Sequence, residues 1–349
     1  MNMNMKCSLP FIAMVVAQVA QVGLTLSSKK AIATGMHNFA YIFYSNALAF
    51  LVLLPAVFLV HRPPNRPALT FSVVSSFFGL GILGFLMQVI GYAGVTYASA
   101  TVFTAILNLV PGFVFVFAII FGLERLDNEG GWFKIIGTVV SVVGALIVTF
   151  YKGPTIITSC LSSIAPPLLL GESSNLILGG LLMLIDSVLA ALFLIAQALL
   201  FKKYSAVLIL MSAYCFIIAV LSLLASLILE HDLNSFSLQS KRRLLAILYA
   251  GFFGAGFQLT IGSWCMKIKG PLFVTIFQPL GIVIAAIMGI LFLGDGLYLG
   301  CLIGSAFIVA GFYGVIWGKA KEDKNIDTTI VGSTQAPLLQ DGSKDNNVV

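Results

Sequence analysis

Ten stretches of about twenty apolar residues, set apart by short breaks that carry charge, glycine or proline, constrain this chain more than any other feature. A helix needs roughly 20 residues to cross the hydrocarbon of a bilayer. No water is available there for a free N–H or C=O, so such segments close their hydrogen bonds internally as helices. The stretches run over about 9–28, 38–60, 70–95, 99–122, 131–150, 176–199, 206–229, 243–265, 270–293 and 297–317. The weakest break, YASAT at 97–101, has no charge; it is placed there because 70–122 is far too long for one crossing. Composition agrees, with 59% of residues apolar and 9% charged, against about 25% charged in soluble domains. The predicted fold class is all-α, a polytopic membrane protein of ten transmembrane helices.

Lys and Arg number 19 against 13 Asp and Glu, but the excess sits at segment ends and in the tail, so it speaks to topology and not to nucleic acid. With the N-terminus cytoplasmic, that side receives Lys6, Arg62, Arg66, Arg125, Lys134, Lys202, Lys203, Lys267, Lys269, Lys319, Lys321, Lys324 and Lys344. The opposite side receives Lys29, Lys30, Lys152 and the cluster Lys241, Arg242 and Arg243. The positive-inside rule therefore places both termini in the cytoplasm, with the cluster as the dissenting signal. Residues 1–8 read as a cytoplasmic segment before a retained first span, since MNMNMKCSLPF has no small-residue cleavage site. Residues 151–175, with Pro154, Pro166 and Pro167, read as a loop between halves. Residues 319–349, polar and poor in aromatics, read as a disordered cytoplasmic tail in which Leu338-Leu339 is a weak sorting signal.

The halves resemble one another. IIGTVVSVVGALIVTFYK (135–152) laid over LIGSAFIVAGFYGVIWGK (302–319) pairs Gly137 with Gly304 and Gly144 with Gly311. An offset of 170 pairs Gly84 with Gly254, Gln88 with Gln258, Asn108 with Gln278 and Tyr44 with Tyr214. Residues 9–150 and 176–318 then hold five spans each, and an odd number forces the second unit to enter the bilayer upside down. Two inverted five-helix repeats are the architecture of many secondary transporters, whose substrate site lies near the midplane between the units.

Polar residues inside the spans supply the candidate site. In LNLVPGF, Pro111 lacks an N–H, so the carbonyl of Leu107 loses its helical partner; in TIFQPLG, Pro279 does the same to Thr275. Both prolines are expected to kink their helices, each beside an amide, Asn108 or Gln278. Gln88 and Gln258 make a second symmetric pair. Four uncharged amides offer donors and acceptors to a zwitterion in one polar chamber, although amides also hold helices together. Asp186, inside span six, costs about 2.5–3.5 kcal/mol on insertion scales, so it needs a partner or a purpose. It is a candidate for a substrate ammonium or a proton. Gln18 in span one is a weaker candidate, with Gln21 and Gln197.

Other chemistry is poorly served. Cys7, Cys160, Cys215, Cys265 and Cys301 show no ligand spacing, and His37, His61 and His231 lie at segment ends, so neither a metal nor an intramembrane catalytic cluster is indicated. No P-loop is present. No cofactor is expected and an enzyme is disfavoured, a lipid-modifying one included. Glu124 and Asp295 close spans four and nine and read as loop charges, with a gating ion pair as the alternative.

KAIATGMHNFAYIFYSNALAFLVLLP (30–55), SATVFTAILNLVPGF (99–113), ERLD with IIGTVVSVVGALIVTFYKGP (135–154), and KGPLFVTIFQPLG through GDGLYLG to WGKAKED (269–323) resemble the plant Walls-Are-Thin-related, nodulin-21-like transporters. These UMAMIT proteins belong to the EamA group of the drug/metabolite transporter superfamily. The resemblance implies five-helix EamA repeats and facilitated movement of amino acids, or of auxin or another small organic acid, at the plasma or vacuolar membrane. The implied partners are that solute and the lipid bilayer, and a homo-oligomer stays open.

Overall fold

Helix accounts for almost all of the residues described by the computed structural model, which are 3–32, 36–60, 70–97, 106, 108–124, 129–151, 153–157, 173–229, 241–288 and 297–334. In chain order the elements are α1 (Met3–Ile32), α2 (Asn38–Val60), α3 (Phe71–Tyr97), α4 (Val110–Ile120), α5 (Glu129–Phe150) and β1 (Thr155–Ile157). There follow α6 (Ser173–Lys203), α7 (Val207–Leu229), α8 (Lys241–Tyr249), a π-helix (Ala250–Gln258), α9 (Leu259–Lys269), α10 (Pro271–Met288), β2 (Leu297–Tyr298) and α11 (Leu299–Thr334). Five continuous helical stretches are long and apolar enough to cross a membrane: Asn38–Val60, Phe71–Gly94, Leu178–Lys203, Val207–Leu229 and Arg243–Lys269. Shorter apolar helices cover Leu9–Leu24, Val110–Ile120, Gly131–Ile147, Pro271–Gly281 and Leu302–Gly318. Large apolar side chains on the outside, such as Leu51, Leu59, Ile120, Ile228 and Leu245, are 61–70% exposed. A surface of that kind belongs against lipid. The chain is a helical, multi-pass membrane protein.

α5 packs antiparallel on α11, and α3 on α6 and α7, through small residues, because lipid removes the hydrophobic drive and leaves close contact as the main attraction. The middle of α5 lies against the first half of α11: a Cβ at Gly137 would fall 2.6 Å from the carbonyl oxygen of Gly311, and one at Gly144 would fall 2.7 Å from the backbone nitrogen of Ile308. The largest apolar cluster gathers α2, α3, α6 and α7 around Ile42, Leu210, Met211 and Ile218. α1 lies along the α8–α9 rod and α10, and α4 lies between α6 and α10.

Several local outcomes differ from the sequence reading. Pro111 does not bend a continuous helix. It stands in the first turn of α4, where its missing N–H costs nothing, and Asn108 and Leu109 form the turn before it. Pro279 lies within α10, which continues through it. The first part of the expected disordered tail is helical, since α11 runs to Thr334. No Gly or Pro intervenes between Lys319 and Val331, and a helix already nucleated by a membrane span extends at little cost. Part of the inter-half loop forms a ribbon, Thr155 pairing with Tyr298 and Ile157 with Leu297.

The eighth span contains nine residues of π-helix, in which the Leu259 N–H reaches the Gly254 carbonyl five residues back. Glu124 is no loop charge. Beyond α4, Gly122 turns the chain at φ 65°, and the Glu124 carboxylate meets Lys134 Nζ at 2.7 Å with both side chains buried. Lys134 is thereby removed from the solvent-facing charges that decide topology. The break at 98–101, Asp295 and Leu338-Leu339 lie outside the described residues.

Candidate functional site

Helix α3 carries a stripe at helical spacing, Gly84, Gln88 and Gly91, and the two glycines admit neighbours. Tyr214 of α7 fills the space beside Gly84, and Asp186 of α6 lies so close to α3 that a Cβ at Gly91 would sit 3.0 Å from its Oδ1. Gln88, between them, accepts a hydrogen bond from Asn46 Nδ2 at 3.1 Å and donates to Tyr214 Oη at 3.3 Å. Asn46 is buried in α2, and its Nδ2 also donates to the Ile42 carbonyl at 2.9 Å. Those two acceptors fix the amide's orientation. Its Oδ1 is left without a partner among the described residues.

Asp186 is 8% exposed in the middle of α6. Tyr92, next to Gly91 and one turn beyond Gln88 on α3, meets the ring of Tyr41 edge-on at 5.5 Å. No described Lys, Arg or His forms an ion pair with Asp186. The adjacent Ser187 hydroxyl lies 3.2 Å from the Ile106 carbonyl and 3.0 Å from that of Met183. That contact ties α6 to the turn bearing Asn108, which is itself buried and partnered.

On α10, Gln278 is half-buried and its Oε1 has no partner among the described residues. Gly281, three residues on, brings in Gln18 of α1, whose Oε1 would be 3.0 Å from a Cβ there. Thr275, whose carbonyl is released by Pro279, is buried with its hydroxyl turned to the Leu272 carbonyl at 3.1 Å. Gln258 ends the π-helix, half-buried.

The structure thus sets the Gln88 contacts and the Asp186 contact on neighbouring turns of α3, ties Ser187, next to Asp186, to the Ile106 carbonyl before the Asn108 turn, and seats Gln18 against Gly281, three residues from Gln278. The four paired amides do not hydrogen-bond one another among the described residues. Asn46, Tyr41, Tyr92 and Tyr214 were missed. Asn46 was legible as the lone amide in YIFYSNALAFLVLL. Phenols inside an apolar run give no periodic signal that separates them from core.

Amides, phenols and one carboxylate can bind and release a polar solute. Residues 9–150 match the EamA-like transporter family, which makes this multi-pass helical fold that of a membrane solute transporter. WAT1-related protein At3g28050 of Arabidopsis thaliana is 36% identical over 361 residues, covering 97% of each chain. WAT1-related protein At5g40240 of the same plant is 37% identical over 338 residues, covering 95% of this chain and 91% of its own. The chain belongs to the WAT1-related family, as its motifs indicated. A crystal structure at 15% identity superposes with a TM-score of 0.68 over 90% of this chain and 98% of that chain, which shows a shared fold.

Proposed function

We propose that the protein moves small organic solutes, amino acids foremost, across its membrane by alternating access between two inverted five-helix halves. The solute would be held near the midplane by Asn108, Gln278, Gln88, Gln258, Asp186 and Gln18. The observation that carries this reading is that contacts between the halves survive exchange of the halves. Gly81 of α3 abuts Ile217 of α7, and Gly251, at the offset of 170, abuts Leu48, one residue from the position the same offset gives. α4 packs on α6 as α10 packs on α1, and α3 packs on α6 as the α8–α9 rod packs on α1. Symmetric interfaces of this kind let one half rock against the other about a central site.

The sidedness of the loops supports ten crossings. β1 and β2 pair although four predicted crossings separate them, and Lys267 Nζ donates to the Ser205 carbonyl at 2.7 Å across two. An even number returns the chain to the same face in each case. Trp132 and Trp317 are both exposed, and Lys321 lies 5.9 Å over the Phe133 ring, as in an interfacial belt. By the charge count this end is cytoplasmic, along with both termini, in a plasma or vacuolar membrane.

Flux of radiolabelled amino acids into liposomes holding the purified protein tests the reading. Saturable uptake supports it, and uptake that responds to a pH gradient adds proton coupling. Correctly inserted protein that gives no amino-acid flux overturns it, and auxin or acid flux alone assigns the other substrate class.

A further inference from the structure

We infer that the site recognises an organic ammonium group, with or without a carboxylate on the same solute, and that Asp186 is its ionic partner. The inference rests on the transport reading above and names the solute's recognised group. A buried carboxylate is costly unless paired. Gly91 of α3 lies against Asp186, and no described Lys, Arg or His forms an ion pair with it. The other orphans point the same way. Asn46 Oδ1 and Gln278 Oε1 are buried acceptors with no donor among the described residues, and a buried polar atom without a partner calls for an explanation.

Asn46 and Asp186 meet neighbouring turns of α3. Gln88, which holds Asn46, precedes Gly91 by three residues, a rise of about 4.5 Å along α3. α10, which carries Gln278, packs on α4 and α6. An ammonium group brings three donors and a positive charge, which the acceptors and carboxylate lack. The Tyr92 and Tyr41 rings add a surface that attracts cations. A solute with only a carboxylate would add a second negative charge beside Asp186 and find no cation among the groups against it.

The full-length protein in liposomes, with leucine uptake as the signal, separates the outcomes. Putrescine and isopentylamine are expected to compete with leucine, and indole-3-acetate and 4-methylpentanoate are not. Asp186→Asn should lower leucine uptake about tenfold or more, the loss that follows removal of a charge-assisted contact. Gly91→Ala keeps the charge but sets a methyl 3.0 Å from Asp186 Oδ1, so it should weaken amine competition in the same direction. If Asp186→Asn fails to insert, the Gly91→Ala competition decides. Acids competing as well as amines, or inserted variants with unchanged amine competition, overturn the ammonium assignment while leaving transport standing. Absence of flux for every solute overturns the transport reading itself.

Discussion

At the scale of single residues, two kinds of buried polar group do different work. Glu124 and Lys134 satisfy each other at 2.7 Å and close the turn between α4 and α5. Removing either one leaves a buried charge alone, so Glu124→Ala or Lys134→Ala should cost about 3–5 kcal/mol, and the double variant less than the sum. Thermal unfolding in detergent, taken round the double-mutant cycle, measures this. A purely additive double variant would mean that the pair is not coupled. Asn108, buried and partnered, and Gln278, whose Oε1 has no partner among the described residues, are the amides that the proposed transport reading gives to the solute. Their replacement by Ala should reduce transport by about tenfold while leaving membrane abundance unchanged, since an amide contact between helices is worth only about 0.6 kcal/mol. Unaltered flux in both variants would make them helix contacts and nothing more.

Among the elements, the first and second halves solve the same problem differently at Pro111 and Pro279. In the first half the chain breaks before the proline and restarts as α4; in the second, α10 continues through it. The same asymmetry separates α3, an α-helix, from the segment that the offset of 170 in the sequence sets against it, which holds a π-helix between α8 and α9. Gly251 and Gly254 admit the wider coil, since a Cβ at Gly251 would fall 2.6 Å from Leu48 and one at Gly254 would fall 3.1 Å from Leu24. Replacing Gly251 by Leu should therefore separate the π-helix from α2 and lower the yield of folded protein.

The α5–α11 contact is the more sensitive element. Gly137→Leu, set against the backbone of Gly311, should abolish the folded peak in size-exclusion chromatography. An equivalent Leu at the open Gly79, which has nothing within 4 Å, should be tolerated. Protection of amides at 319–334 from hydrogen exchange checks that α11 continues past the membrane.

For the whole molecule, the arrangement of loops makes a topological statement. Cysteines placed at Thr155 in β1 and at Lys321 in α11 should be labelled by membrane-impermeant reagents from opposite faces of the bilayer. Labelling of both from one face would remove the ten-span reading. The sequence made the helices legible because each apolar run has the length of a bilayer: α2 and α7 fall within a residue of the expected 38–60 and 206–229. It also gave the candidate amides, since a polar side chain in an apolar run is conspicuous. It did not disclose Asn46 with Gln88 and Tyr214, the burial of Lys134, or the π-helix. Those depend on which residues of distant helices come within 3–4 Å of each other.

The chain by itself therefore determined that it is helical, multi-pass and of the WAT1-related family, because bilayer thickness and backbone hydrogen bonding leave an apolar run one outcome. Tertiary structure alone decided which polar groups are satisfied and which are left as orphan acceptors. A side chain's partner across a helix interface is set by helix rotation and depth, and periodicity within one segment carries no information about either.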